Sequence, residues 1–509
     1  MPRLRDNVLA NYAGQAWVAI MGVAFVPVYL RLLGIEQFGL IAFMLSLQTI
    51  SLLLDMGTGV FLGRELAQRA HHADRRDSIR QLIRSFECLI WPTAALIAIL
   101  IVSTSGEIAS HWLHPEQLGK ETTTKAVGII GLVVALLWPT AFYASALSGL
   151  EQQKKLNVLV AVFATLRYAG VVPVLLWSNS GLLGFLWWHC LIAGLQSICS
   201  AMVLWRHLPQ SAERTRFQLS EILGARHFAL GVFSITALGL ILSQMDRLAM
   251  SALRPLEELG YYGVALTISG GLGRLVQPMF AAIYPRLSKL AGSDDQLRVS
   301  ELYHLSSQIV AAVVAAVAGV VCIYSESVLR LWTGDSVLSA QVALPLTLVF
   351  AGTAINGVMN VPYALQLAHG WTRLAALSNL VGIILFAPAF VLAVENHGMT
   401  GAAAVWLAVN VTYLVFIAPL LHRRLLRGEL GLWYAQSVLQ PFSAAFGVVL
   451  VAKWLYPSID RTIGGVTWIS ATGLIALTAS LLVSQGFRKL LIAYLRQMRI
   501  ERTDSSFKP

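Results

Sequence analysis

Two arginines stand in the middle of membrane-length apolar runs, Arg167 within 156–177 and Arg274 within 262–285. Such a charge costs about 2.5 to 3.5 kcal/mol at a helix centre even on a lenient insertion scale, so each side chain must face protein, water or an anion rather than lipid. A guanidinium offers a planar fork of donors that stays ionised at any accessible pH, which suits a phosphate or pyrophosphate. Around Arg274 the sequence reads Gly270-Gly271-Leu272-Gly273-Arg274, with Gln277 and Pro278 one turn on. Three glycines and a proline predict a loosened hydrogen-bond ladder, and irregular backbone at membrane depth is tolerated where it lines a cavity. The competing reading for both arginines is a structural one, with neighbouring helix carbonyls as partners and no ligand.

Other polar groups in apolar runs also carry two readings each. Asp246 and Arg247 are adjacent, so they project from different faces of a helix and are not expected to pair with each other. Asp246 either holds a proton or Na⁺ as a coupling group or pairs with a basic residue of another helix; Asp55 has the same alternatives. Arg64 lies nearer an interface, where an arginine can snorkel, as can Lys453. Asn356 and Asn360 share one helix face at i,i+4 and either line a cavity or bond between helices. His189, beside Trp187 and Trp188, is a proton carrier or part of an aromatic belt. The candidate anion and sugar contacts are therefore Arg274, Arg167, Arg247, Arg64, Asn356 and Asn360, and the candidate ion-coupling groups are Asp246 and Asp55.

The elements that must position these groups follow from composition. The 509-residue chain is 57% hydrophobic and only 12% charged, which excludes a soluble globular class. Its net charge of +11 does not point to nucleic acid, because the basic residues sit in short links between apolar runs rather than on one aqueous face. Cys88, Cys190, Cys199 and Cys322 all fall in or beside apolar runs and read as buried small hydrophobes. Walker A, HExxH, GxSxG and paired zinc-ligand motifs are absent, so neither an enzyme nor an ATP-driven pump is expected, and no cofactor or metal. Arg3 and Arg5 precede an apolar stretch that runs on to Leu30 without a small-residue cleavage site, which predicts a retained first span.

With about 20 residues needed to cross the hydrocarbon core, the sequence predicts an all-α integral membrane protein of about fourteen transmembrane helices. Placing the N-terminus inside puts 27 of the 37 Lys and Arg in cytoplasmic segments and 6 in outer ones, a strong positive-inside signal with both termini cytoplasmic. The links are too short to hold a separate catalytic domain. Glu36-Gln37-Phe38-Gly39 and Glu258-Leu259-Gly260-Tyr261 open helices six spans apart, and the paired stretches ending at Gly149 and Gly370 lead out of the fourth and tenth spans, again six apart. An even offset makes the halves parallel repeats about an axis along the membrane normal. The expected organisation is a six-helix lobe over 1–210, a second over 211–425, two additional helices in 426–486 and a basic tail, 487–509, on the anionic inner leaflet.

Several stretches resemble the Wzx-type oligosaccharide flippases, the polysaccharide-transport branch of the MOP superfamily that also holds MATE drug exporters and lipid II flippases. Asn11-Tyr12 through Val26-Pro27, followed by Leu32-Leu33-Gly34-Ile35-Glu36-Gln37-Phe38-Gly39, is similar to the family's first helix and its exit. Leu54-Asp55-Met56-Gly57 with Gly63-Arg64-Glu65-Leu66-Ala67 resembles the second helix ending, Gln244-Met245-Asp246-Arg247-Leu248 the seventh, and Pro285-Arg286-Leu287-Ser288 the eighth-helix exit. The likeness runs over most of residues 1–425.

The resemblance implies a two-lobed, MATE-like transporter in the inner membrane that moves undecaprenyl-pyrophosphate-linked sugar units outward by alternating access. Arg167 and Arg274, one per half, would then face the pyrophosphate across a cationic vestibule, with H⁺ or Na⁺ supplying the bias. Expected partners are the lipid-linked oligosaccharide, membrane lipid and polysaccharide-assembly proteins. Two alternatives stay open: a MATE-like cation-coupled drug antiporter, which would want an acidic, aromatic-lined pocket, and a membrane polymerase or ligase of lipid-linked sugars, which would want a large outer loop.

Overall fold

The computed structural model describes residues 2–55, 57–71, 76–178, 180–208, 217–293, 295–457, 459, 461–489 and 492; most of the expected basic tail lies outside them. Among the described residues the chain is helix after helix: α1 (Pro2–Ala24), α2 (Val26–Leu33), α3 (Ile35–Ser51), α4 (Thr58–His71), α5 (Arg76–Glu107), α6 (Lys120–Leu137), α7 (Pro139–Gly149), α8 (Gln153–Tyr168), α9 (Val171–Trp177) and α10 (Gly181–His207). There follow α11 (Leu219–Leu253), α12 (Leu256–Ala291), α13 (Gln296–Ile323), α14 (Ser325–Thr333), α15 (Ser336–Ala368), α16 (Thr372–Thr412), α17 (Ala418–Leu425), α18 (Leu430–Trp433), α19 (Gln440–Leu455) and α20 (Ile463–Val483).

Ten helical segments among the described residues are long and apolar enough to cross a membrane. One of them, Thr372–Leu425, holds two of the expected spans. Gly398 breaks it with φ 54° and ψ −136°, a conformation open to glycine. A β-carbon on Gly401 would lie 2.0 Å from the Ala393 carbonyl oxygen, whereas eight residues of straight helix advance about 12 Å, so the chain folds back here. Large apolar side chains such as Ile99, Trp177, Ile384 and Leu474 are exposed along these helices, a surface that only lipid satisfies. Of the four cysteines, all are free thiols; Cys190 is buried as expected, but Cys88 is exposed on α5, where a small weakly polar side chain meets lipid at little cost.

The chain packs as two compact units, residues 1–263 with 379–402, and residues 264–378 with 403–509. In the first, a core of Leu62, Ile79, Leu82, Phe86, Phe142 and Tyr143 joins α4, α5 and α7. There α4 and α7 cross backbone to backbone, since a β-carbon on Gly149 would sit 2.5 Å from the Gly63 carbonyl oxygen. The two helix openings singled out as repeats also meet in this unit. A β-carbon on Gly39 would lie 2.0 Å from the Leu256 carbonyl oxygen, and one on Gly260 would lie 2.3 Å from that of Ile35.

Charged groups at the ends of α3, α4 and α12 tie neighbouring segments down. The Glu36 carboxylate, 4% exposed, accepts from the amides of Glu116, Gln117 and Leu118 at 2.6–3.1 Å. Glu258 takes the Met399 amide at 2.6 Å and pairs with Arg254. Arg69 bridges Glu65 and Glu221. Burial works against its charge, but the hydrogen bonds to Glu221 and Glu65 outweigh it and hold its pKa above the usual arginine value.

In the second unit α13 is central. Ala315, Ala316 and Val320 pack against Ala445 and Val449 of α19 and Ala476 of α20, so the last two spans belong to this unit's core.

Candidate functional site

The two opening arginines are placed in opposite ways from the sequence expectation. Arg274 was expected on loosened backbone, yet α12 is helical without interruption from Leu256 to Ala291. The three glycines meet no obstruction at their β-positions, and in a lipid setting nothing competes for their amides, so they stay in the ladder. Pro278 has no N–H to donate to the Arg274 carbonyl four residues earlier, which is the one local irregularity the ladder must carry.

Arg167, expected mid-helix, sits at a break instead. Helix α8 ends at Tyr168 and α9 begins at Val171, and two side chains cover the carbonyls near the interruption: Trp188 Nε1 donates to Leu166 O at 2.8 Å and Tyr29 Oη to Tyr168 O at 2.6 Å. Gly170 is required here, because a β-carbon would lie 2.8 Å from the Trp188 ring. The Arg167 guanidinium donates to Gln196 Oε1 of α10 at 2.5 Å. Its partner is therefore a side-chain amide and not the helix carbonyls that the sequence alternative named.

The first unit also holds the acidic candidates. Asp246 is 3% exposed and accepts from the Tyr262 hydroxyl of α12 at 2.8 Å, so its neighbour across helices is a phenol, not the basic residue expected. Its other oxygen takes the Arg247 backbone amide, while the Arg247 guanidinium turns to Gln244 Oε1 at 2.7 Å. The two adjacent charges thus have separate side-chain partners, as their helix positions require. Arg64 is exposed on α4. Asp55 ends the 3₁₀ turn Leu52–Asp55 after α3, and its side chain lies outside the described residues. His189 is buried, bonded to the Phe185 carbonyl and stacked on that ring at 4.1 Å, so it packs within the bundle rather than in a belt.

In the second unit a polar ladder crosses α12, α15 and α16. Ser269 and Thr353 share a hydrogen bond of 2.7 Å, Trp406 Nε1 donates to Thr353 Oγ1 at 3.2 Å, and Asn356 Nδ2 donates to Asn410 Oδ1 at 3.0 Å. Asn360 turns back to the Asn356 carbonyl. Asn356 thus makes an interhelical bond and also keeps an exposed surface. Lys453 lies over the Tyr324 ring at 4.7 Å, a cation–π contact.

Arg274 and Gln277 are both exposed along α12, and Tyr284 follows on the same face. Tyr284 stacks on Phe280 with ring centroids 5.8 Å apart, and Phe280 on Tyr363 of α15 at 6.1 Å. A guanidinium, an amide and flat rings along one helix can bind an anion and, next to it, the apolar face of a sugar ring.

Sequence reasoning passed over Gln196, Tyr262, Ser269, Thr353, Asn410 and Glu87. The last is 6% exposed on α5 and accepts from Tyr143 Oη at 3.0 Å and Trp205 Nε1 at 2.8 Å. The available signal was the same in each case: a polar residue at membrane depth needs a named partner.

Comparison with known proteins agrees with this architecture. The chain is similar to a putative O-antigen transporter of Shigella flexneri, 19% identical over 402 residues that cover 78% of this chain and 92% of that protein. Among solved structures it resembles the lipid II flippase MurJ in an inward closed conformation, with TM-score 0.64 and 13% identity over 96% of this chain and 99% of that one. An inward-facing MATE multidrug resistance transporter of the MOP superfamily matches with TM-score 0.64 and 13% identity, covering 81% and 94%. The fold is that of these transporters. Residues 4–291, more than half of the chain, match the polysaccharide biosynthesis protein family, to which this membrane protein therefore belongs.

Proposed function

We propose that the protein is a flippase that carries undecaprenyl-pyrophosphate-linked oligosaccharide units across the cytoplasmic membrane for cell-surface polysaccharide synthesis. The observation that carries the proposal is Arg274, an exposed guanidinium position on an unbroken apolar helix, followed by Gln277 and the Phe280–Tyr284–Tyr363 stack. Arg274 neutralises the pyrophosphate, the rings receive the first sugar, and the lipid tail stays in the bilayer. The family match and the O-antigen transporter relative support the substrate class.

Transport proceeds by exposing this face alternately to either side, with both termini cytoplasmic as the distribution of Lys and Arg implies. A ligand bound equally in two states shifts neither, so an ion gradient supplies the direction. Asp246 and Asp55 are the acidic candidates for that ion in the first unit. Polysaccharide-assembly proteins are the expected partners on either side.

The test is reconstitution in vesicles with a fluorescent lipid-linked pyrophosphate oligosaccharide, following leaflet exchange with and without a proton or Na⁺ gradient. Protein-dependent exchange is the expected result; its absence under every gradient would sink the flippase reading.

A further inference from the structure

The second unit contains a polar cluster that the transport site does not use. The His304 imidazole, on α13, bonds through Nε2 to Glu429 Oε2 at 2.8 Å, and Ser300 Oγ donates to the same oxygen at 2.7 Å. His304 Nδ1 is buried and has no protein partner. Trp433 Nε1 and Ser437 Oγ, on the opposing segment, are in the same condition. These three residues are each 9% exposed or less. The two segments meet through His422, whose ring lies 5.6 Å from that of Tyr303 on α13 and 5.3 Å from that of Trp433. A buried polar atom left unbonded costs roughly 1 to 3 kcal/mol, so a packed interior that carries several of them is suited to hold something that bonds them.

The mixture of groups identifies the guest. Trp433 Nε1 can only donate, His304 Nδ1 can accept, and the Ser437 hydroxyl does either. A metal ion would repel the indole N–H, and no group of three metal-ligating side chains occurs among the described residues. Water satisfies donors and acceptors together. The surrounding backbone also departs from α-helix: residues Tyr434–Leu439 form a π-helical turn, a geometry frequent at functional sites.

We propose that α13 and the 429–439 segment enclose a hydrated proton-binding site in which His304 and Glu429 are the exchanging pair. A hydronium ion delivers its proton to His304 Nδ1 and leaves as water; the imidazolium keeps its Nε2 bond to the Glu429 carboxylate, which balances the new charge. The Nδ1–H then donates to the site water.

The titratable and charged groups on the elements packed against His304 are Arg298, Glu301 and Tyr303 on α13, His422, Arg423 and Arg424 on α17, Arg427 and Glu429 in the link and Tyr434 in the π turn; of these, Arg424 lies over the Trp371 ring. Arg488 and Lys489 follow Gly486, whose amide donates to Gln308 one turn beyond His304. A histidine takes up and releases a proton at one ring nitrogen while the other keeps its hydrogen bond, which suits it to exchange protons with the cytosol. That this proton biases transport rests on the flippase reading; the hydrated site itself does not.

Three measurements on the full-length protein in nanodiscs or vesicles test this. Radiolytic hydroxyl-radical footprinting should label Trp433 several-fold faster than equally buried Tyr143; equal, slow labelling means a dry cluster and overturns the site. Potentiometric titration between about pH 8 and 5 should count about one bound proton fewer in His304→Gln than in the wild type; an unchanged count overturns the assignment to His304. In the vesicle exchange assay, His304→Gln should flip substrate without a gradient but lose its response to a pH gradient, and a retained response overturns the coupling. Should no exchange occur in any protein, the flippase reading fails, while the first two measurements still decide the site.

Discussion

Gly39 and Gly260 face each other where α3 and α12 cross, each with its β-position filled by the other helix's backbone. A β-carbon on Gly39 would lie 3.3 Å from the Gly260 nitrogen, and one on Gly260 would lie 3.2 Å from that of Gly39. The relation is reciprocal, as it must be when two similar segments pack about a shared axis. It gives a physical reason for glycine in both copies of the repeated opening.

Replacing either glycine with valine should therefore separate the two helices. Gly260→Val is expected to lose about 1 to 3 kcal/mol, the usual penalty of overpacking. Thermal unfolding in nanodiscs measures it, with hydrogen exchange at residues 35–42 and 256–263 as the local readout. An unchanged melting curve would contradict the crossing.

Arg274→Ala should cut lipid-linked oligosaccharide exchange by about tenfold or more, and Arg274→Lys should not rescue it, because an ammonium lacks the planar fork. Membrane abundance should stay at the wild-type level. Loss of the protein instead would make Arg274 a structural residue.

Gln196→Leu should be more damaging than Arg167→Met. The first leaves a guanidinium at the α8–α9 break without the oxygen it bonds, and a hydrogen bond to a charged group is worth about 1.5 to 3 kcal/mol. The second removes the charge together with its need. Comparing expression and melting of the two variants checks the order.

Tyr262→Phe should weaken the α11–α12 contact by a similar amount, about 1.5 to 3 kcal/mol, by taking the hydroxyl from a buried carboxylate. Asp246→Asn should be milder, since an amide oxygen still accepts from Tyr262. If Asp246 also carries the coupling ion, the asparagine variant should fold normally and yet lose the gradient dependence of exchange.

The helical class and the polar groups at membrane depth were legible because lipid permits few alternatives: a run of apolar residues must form a helix, and a charge inside it must have a reason. Partners were harder. Asp246 reads as a charge wanting a cation, but Tyr262 lies sixteen residues along the chain and only the return of α12 brings its hydroxyl to the carboxylate. Backbone breaks were misjudged because composition was weighed without packing. The glycine cluster before Arg274 stays helical, since nothing presses on it, whereas Ala169-Gly170 opens because Trp188 and Tyr29 reach in to take the carbonyls that the break releases.

Glu36 holds the link after α5 by its main-chain amides and by nothing belonging to the side chains of Glu116, Gln117 or Leu118. A grip of that kind is indifferent to which amino acids it grips, proline excepted. Those three positions can drift or be recoded while the link keeps its course, so the one letter that the surface depends on lies about eighty positions away in the text, at the start of a different helix.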